Sequence, residues 1–129
     1  MDATTSASNV SASLGGTIDF DLNFPLTEAG HPYQLLASRS GVGPTRIVGV
    51  EIPLTRDAFL LTMLQSPPPF FTGLTGTLDG LSMATAGLNL PAGAASSLAD
   101  STVHFSAVTL NPLGRPMVAS WPVALNIMP

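Results

Sequence analysis

The strictest constraint on this chain lies at residues 15–24, where Ile18, Phe20, Leu22 and Phe24 alternate with Thr17, Asp19, Asp21 and Asn23. A period of two belongs to a strand with one dry face and one wet face. Slipping the register by one residue would put four large apolar side chains into water and two aspartates into the core, so the run dictates how its neighbours pair. It predicts a central strand, and with it a fold whose other strands cover the dry face.

The remainder reads as further strands and the turns between them. Residues 1–13 are Ser, Thr and Ala around a single Val10, the composition of a polar arm or edge strand; residues 14–129 form the domain proper. Strands are predicted at 33–38, with Tyr33, Leu35 and Ala37 on one face, and at 46–52, carrying Ile47, Val48, Val50 and Ile52. Residues 54–64 fit both periods: Phe59, Leu60, Met63 and Leu64 fall at helical spacing, while Phe59, Leu61 and Met63 alternate. A strand or irregular turn is favoured there, although Thr55 could cap a helix with Asp57 in its first turn. Pro67, Pro68 and Pro69 impose an extended crossing. Asp79-Gly80 is the dipeptide of a tight hairpin turn, with positive φ expected at Gly80, and predicts that residues 71–78 pair with 84–90. One helical turn fits residues 95–98. Strands at 102–110, 117–121 and 123–128 complete the chain.

Turn signals recur every ~8–12 residues and no long helix appears, so the predicted class is all-β: an antiparallel two-sheet β-sandwich of about eight short strands, Ig-like or jelly-roll-like. Prolines 32, 53, 91, 112 and 122 suit protected sheet edges better than a smoothly closed barrel.

Composition excludes several functions. The chain has no cysteine, so thiolate metal sites and thiol nucleophiles are absent. Charged residues make 9% of it against an average near ~25%, lysine is missing altogether, and the net charge is −4 with only Arg39, Arg46, Arg56 and Arg115 as bases. Four scattered arginines are no phosphate-binding footprint, which argues against nucleic acid. No apolar run is long enough to span a bilayer, and no signal peptide opens the sequence; an exported form would carry its signal upstream of Met1.

The segments at residues 15–22 (GGTIDFDL), 30–41 (GHPYQLLASRSG), 76–80 (GTLDG), 88–91 (LNLP) and 120–125 (SWPVAL) together resemble an uncharacterised domain at the C-terminus of large secreted bacterial proteins, of the planctomycete and myxobacterium type. The resemblance covers nearly the whole chain after Val10. It implies a β-sandwich and an extracellular or cell-surface setting, and it brings no catalytic residues.

Candidate chemistry is sparse. Asp19, Asp21 and Asn23 project from one strand face and offer oxygens to calcium, but the distal glutamate and turn of a calcium loop are missing, and a solvated face accounts for them more simply. His31 and His104 are the only imidazoles, and neither has a second ligand at metal spacing. No Gly-x-Ser-x-Gly elbow occurs and no acid, base and nucleophile can be nominated together, so no catalysis and no cofactor are expected. Trp121 and Tyr33 could stack on a sugar, although core packing is the commoner role of such residues. The function expected from these features is a non-enzymatic structural module acting by self-association in a filament, surface layer or display domain, its arm pairing with another copy or with other surface components. The alternative is an extracellular carbohydrate- or ligand-binding module.

Overall fold

A computed structural model describes residues 2–5, 9–47, 50–65, 71–93, 99–113, 115–120 and 122–129. In chain order the strands are β1 (Asp2–Thr5), β2 (Asn9–Ser11), β3 (Gly16–Asn23), β4 (Pro32–Ser38), β5 (Thr45–Ile47), β6 (Val50–Ile52), β7 (Phe71–Thr72), β8 (Thr75–Thr77), β9 (Met83–Leu90), β10 (Ser101–Leu110), β11 (Pro116–Ala119) and β12 (Val123–Met128). A 3-10 turn (Leu26–Glu28) and one short helix, α1 (Ala58–Gln65), complete the elements among the described residues. The class is all-β, as the alternation predicts. One sheet runs β1-β3-β9-β7; a second runs β2-β12-β10-β4-β8, with β11 also on β10; β5 and β6 form a separate hairpin.

The organising strand behaves as its pattern requires. Ile18, Phe20, Leu22 and Phe24 are buried, while Thr17, Asp19, Asp21 and Asn23 stay exposed. β3 pairs antiparallel with β9 from Gly16↔Leu90 to Asn23↔Met83. Its dry face meets Val103, Phe105, Leu125 and Ile127 of the second sheet in one buried cluster. Phe20 and Phe105 lie with ring centroids 4.7 Å apart and planes tilted by 43°, and Phe71 meets Phe105 edge-on at 6.1 Å. Burying one such side chain contributes roughly 1.5–3 kcal/mol.

Four expectations are corrected. The pairing is not all antiparallel: of the two edge strands that the arm forms, β1 pairs antiparallel with β3 but β2 pairs parallel with β12, which makes the second sheet mixed, while Val10 and Ala12 enter the core. Among the described residues twelve strands replace about eight, because the arm adds two and residues 45–52 and 71–77 each divide into two pieces. Residues 71–77 do not pair as a hairpin with β9. The chain changes sheet at Gly73 (φ +65), so that β7 joins β9 and β8 joins β4. A side chain at Gly73 would press on the Thr85 carbonyl oxygen 2.9 Å away, so the crossover has room only for glycine.

Residues 58–65 are helix rather than strand or irregular turn. The Asp57 carboxylate accepts the Leu60 amide at 2.8 Å and so caps the helix start, whereas the cap expected was Thr55 with Asp57 in the first turn. Leu60 then packs with Ile52 and Leu54 against Leu36 and Val108, forming a second cluster on the far face of β4 and β10. Both faces of that strand pair are thereby buried. The predicted proline crossing at 67–69 and the helical turn at 95–98 lie outside the described residues.

Candidate functional site

Strand register brings three loops to one end of the molecule. β3 ends where β9 begins (Asn23↔Met83), β4 begins where β8 ends (Pro32↔Thr77), and β10 ends where β11 begins (Leu110↔Pro116). The β3–β4, β8–β9 and β10–β11 loops therefore share that end. Hydrogen bonds tie the first two loops together and anchor the first to β10. Phe24 N donates to Ser82 O at 3.0 Å, Gly30 N to Leu78 O at 3.2 Å, and Leu78 N to His31 O at 2.9 Å. Thr109 Oγ1 donates at 2.7 Å to the buried Glu28 carboxylate, which His31 Nδ1 approaches at 3.4 Å.

Two of the loops are built alike. In residues 79–83 the Asp79 Oδ1 accepts the amides of Leu81 at 2.8 Å and Met83 at 3.0 Å, while Asp79 N donates to Met83 O at 3.0 Å. In residues 111–115 the Asn111 Oδ1 accepts the amides of Leu113 at 2.9 Å and Arg115 at 3.0 Å, while Asn111 N donates to Arg115 O at 2.9 Å. The same five-residue closure thus occurs once beside each sheet, drawn from the tendency of Asp and Asn to bond their own backbone two residues on. Each closure puts a leucine at its third position. Leu81 is 66% and Leu113 80% exposed, and Leu26, in the 3-10 turn of the β3–β4 loop, is 69% exposed. Ser82 holds a left-handed φ of +59, and its buried hydroxyl finds no partner among the described residues. Backbone strain of this kind persists only where surrounding bonds over-determine it.

The residues nominated from sequence lie elsewhere. Asp19 and Asp21 share an open depression of about 450 Å³ with Thr72, Thr85 and Gly87 on the wet face of the first sheet, but Asn23 is not part of it. Among the described residues no three His, Cys, Asp or Glu side chains are grouped to hold a metal. Tyr33 is buried and its hydroxyl donates to Gly73 O at 2.9 Å, so it is a core residue that ties β4 to the sheet crossover and offers no stacking face; burial also raises its pKa. Trp121 lies outside the described residues. His104 sits half-buried on β10 opposite Ser38 and Ala124.

A second open depression, of about 540 Å³, adjoins Arg39, Ser40, Asp57, Phe59 and Thr62. Asp57 there accepts the Arg39 and Ser40 amides at 3.0 Å, Ser40 Oγ at 2.8 Å and Ser38 Oγ at 3.1 Å, besides its capping bond. Burial pushes its pKa up, yet these bonds to the charged form prevail and hold it below the ordinary 3.8. That carboxylate anchors α1 to the end of β4.

Sequence reading passed over Leu26, Leu81 and Leu113. The available signal was the shared Asp/Asn-x-Leu spacing of residues 79–83 and 111–115.

No family model and no curated protein matches the chain. Among solved structures it is similar to the crystal structure of the E. coli chaperone DraB, at 15% identity and a TM-score of 0.48, over 99% of this chain and 55% of that one. The chain thus spans about half the length of that protein. The expected self-associating structural module is corrected here: the arm that was to pair with another copy is already paired within its own chain along β3 and β12.

Proposed function

We propose that the chain is a non-enzymatic, immunoglobulin-like two-sheet β-sandwich, in an extracellular setting, that binds a partner through the end formed by its β3–β4, β8–β9 and β10–β11 loops. The strand orders support the architecture, since a four-stranded sheet with a larger partner is the division of strands in a variable-type immunoglobulin sandwich. The resemblance to secreted bacterial domains supports the setting. The observation that carries the function is the display of Leu26, Leu81 and Leu113, each more than 60% exposed, on hydrogen-bonded loops at one end of the strands. Ordered loops on a rigid two-sheet frame are where binding residues concentrate.

The test is site-specific photo-cross-linking in cells that make the protein, with the reactive side chain placed at 26, 81 or 113. Leu14, equally exposed at the opposite end, serves as the control. Adducts from the three loop positions and none from position 14 are expected. Equal yields from all four positions would refute a partner-binding loop end.

A further inference from the structure

We propose that Leu81 and Leu113 are the paired anchors of one docking site, and that its occupant is a folded protein with two leucine-sized apolar sockets and a carboxylate beside the second. The proposal rests on the binding role assigned above to the loop end. Three observations support it. The two leucines stand at the same position of the same five-residue closure, one beside each sheet at one end of the strands. Both backbones are fixed by side-chain and main-chain hydrogen bonds, so docking orders little that is not already ordered. Each leucine emerges from a polar surround that includes Asp79 and Asn111, the arrangement of an anchor with a rim.

Charge identifies the partner. Arg115 closes the second loop, is exposed, and makes no ion pair among the described residues. Arg46 is paired with Glu51 at 3.0 Å, and Arg39 and Arg56 flank Asp57 near the start of α1, so Arg115 is the arginine of the loop end. A lone unpaired arginine beside an apolar anchor matches a partner carboxylate, for which guanidinium geometry is suited. A lipid surface fits poorly. Peripheral membrane binding draws on clusters of Lys and Arg with interfacial aromatics, and this chain has no lysine and a net charge of −4.

The experiment uses the full chain in two arms. In the first, the protein that cross-links from position 81 is identified by mass spectrometry, purified, and titrated with the parent chain and with Leu81→Ser, Leu113→Ser and Arg115→Glu. In the second, the parent chain is floated with phosphatidylcholine vesicles and with vesicles containing one fifth phosphatidylserine. Expected are one common protein captured from 81 and 113, a loss of at least tenfold in affinity for each leucine variant, and a tenfold loss for Arg115→Glu that charge reversal of one partner carboxylate restores. All three positions are exposed, so melting temperatures stay at the parent value and folding does not confound the result. Different proteins captured from 81 and 113, adducts with a second copy only, or flotation without protein capture would each overturn the paired site while leaving a binding loop end intact. Neither capture nor flotation would remove both readings.

Discussion

Ser82→Gly is expected to stabilise this protein. Ser82 is fully buried, holds φ +59, and leaves its hydroxyl without a partner among the described residues, while its amide and carbonyl are engaged with Asp79 O and Phe24 N. Glycine keeps both backbone bonds and relieves a left-handed conformation that costs a side-chain-bearing residue about 1 kcal/mol. It also removes a desolvated hydroxyl, whose burial costs about 1–3 kcal/mol. Against this stand the unfolded-chain entropy of glycine, about 0.5–1 kcal/mol, and roughly 0.8 kcal/mol for the lost methylene contact. The balance favours the variant by about 1 kcal/mol, or about 3–4 °C in melting temperature for a domain of this size. Urea denaturation of both proteins, with m-values compared, measures it directly. Ser82→Ala separates the contributions, since it removes the hydroxyl and keeps the strain. A glycine variant less stable than the parent by about 1 kcal/mol would show that the hydroxyl is satisfied and that the loop is not strained there.

Three further outcomes follow from the packing. Phe20→Ala, at a fully buried ring against Phe105, should cost about 3–5 kcal/mol, whereas Asp21→Ala on the wet face should stay within about 0.5 kcal/mol; chemical denaturation checks both, and the reverse ranking would invert the faces of β3. Gly80→Ala should be neutral or slightly stabilising, because Gly80 has no positive φ and a Cβ there meets nothing within 4 Å; a large loss of melting temperature would restore the tight turn that the dipeptide suggests. Asp57 has a lowered folded pKa, so its contribution is fully present above its unfolded value near 3.8 and is lost as pH falls through the folded value. Melting temperatures between pH 6 and pH 2 should therefore fall less for Asp57→Asn than for the parent, and parallel curves would mean that the carboxylate is unperturbed.

Period-two alternation made β3, β4, β10 and β12 legible in the sequence, because each has at least one face buried in the main core and a slip would expose it. The arm was harder to place. Its pairing with β3 and β12 is a matter of backbone hydrogen bonds, which polar residues provide as well as apolar ones, and only Val10 and Ala12 carry a burial signal. The Asp79-Gly80 pair misled for a related reason: its side chain closes a wider loop by bonding two amides, and the preceding strand had already left the sheet at Gly73. At residues 54–64 both periods matched, and the deciding fact was a tertiary one, that Asp57 draws its ligands from β4's far end. The loop-end leucines were invisible to a pattern search because no periodicity marks a side chain that faces water. Only the register places residues 81 and 113 at one end.

The central claim is that two matched loops hold Leu81 and Leu113 rigidly in solvent at the same end of the fold. Methyl-resolved NMR with a soluble paramagnetic probe, combined with backbone relaxation, tests it most directly. The account predicts strong probe broadening of the Leu81 and Leu113 methyls, none for the buried Leu22 and Leu35, and order parameters near ~0.85 for the amides of residues 81, 83, 113 and 115. Order parameters below ~0.6 at those amides, or leucine methyls shielded from the probe, would contradict it.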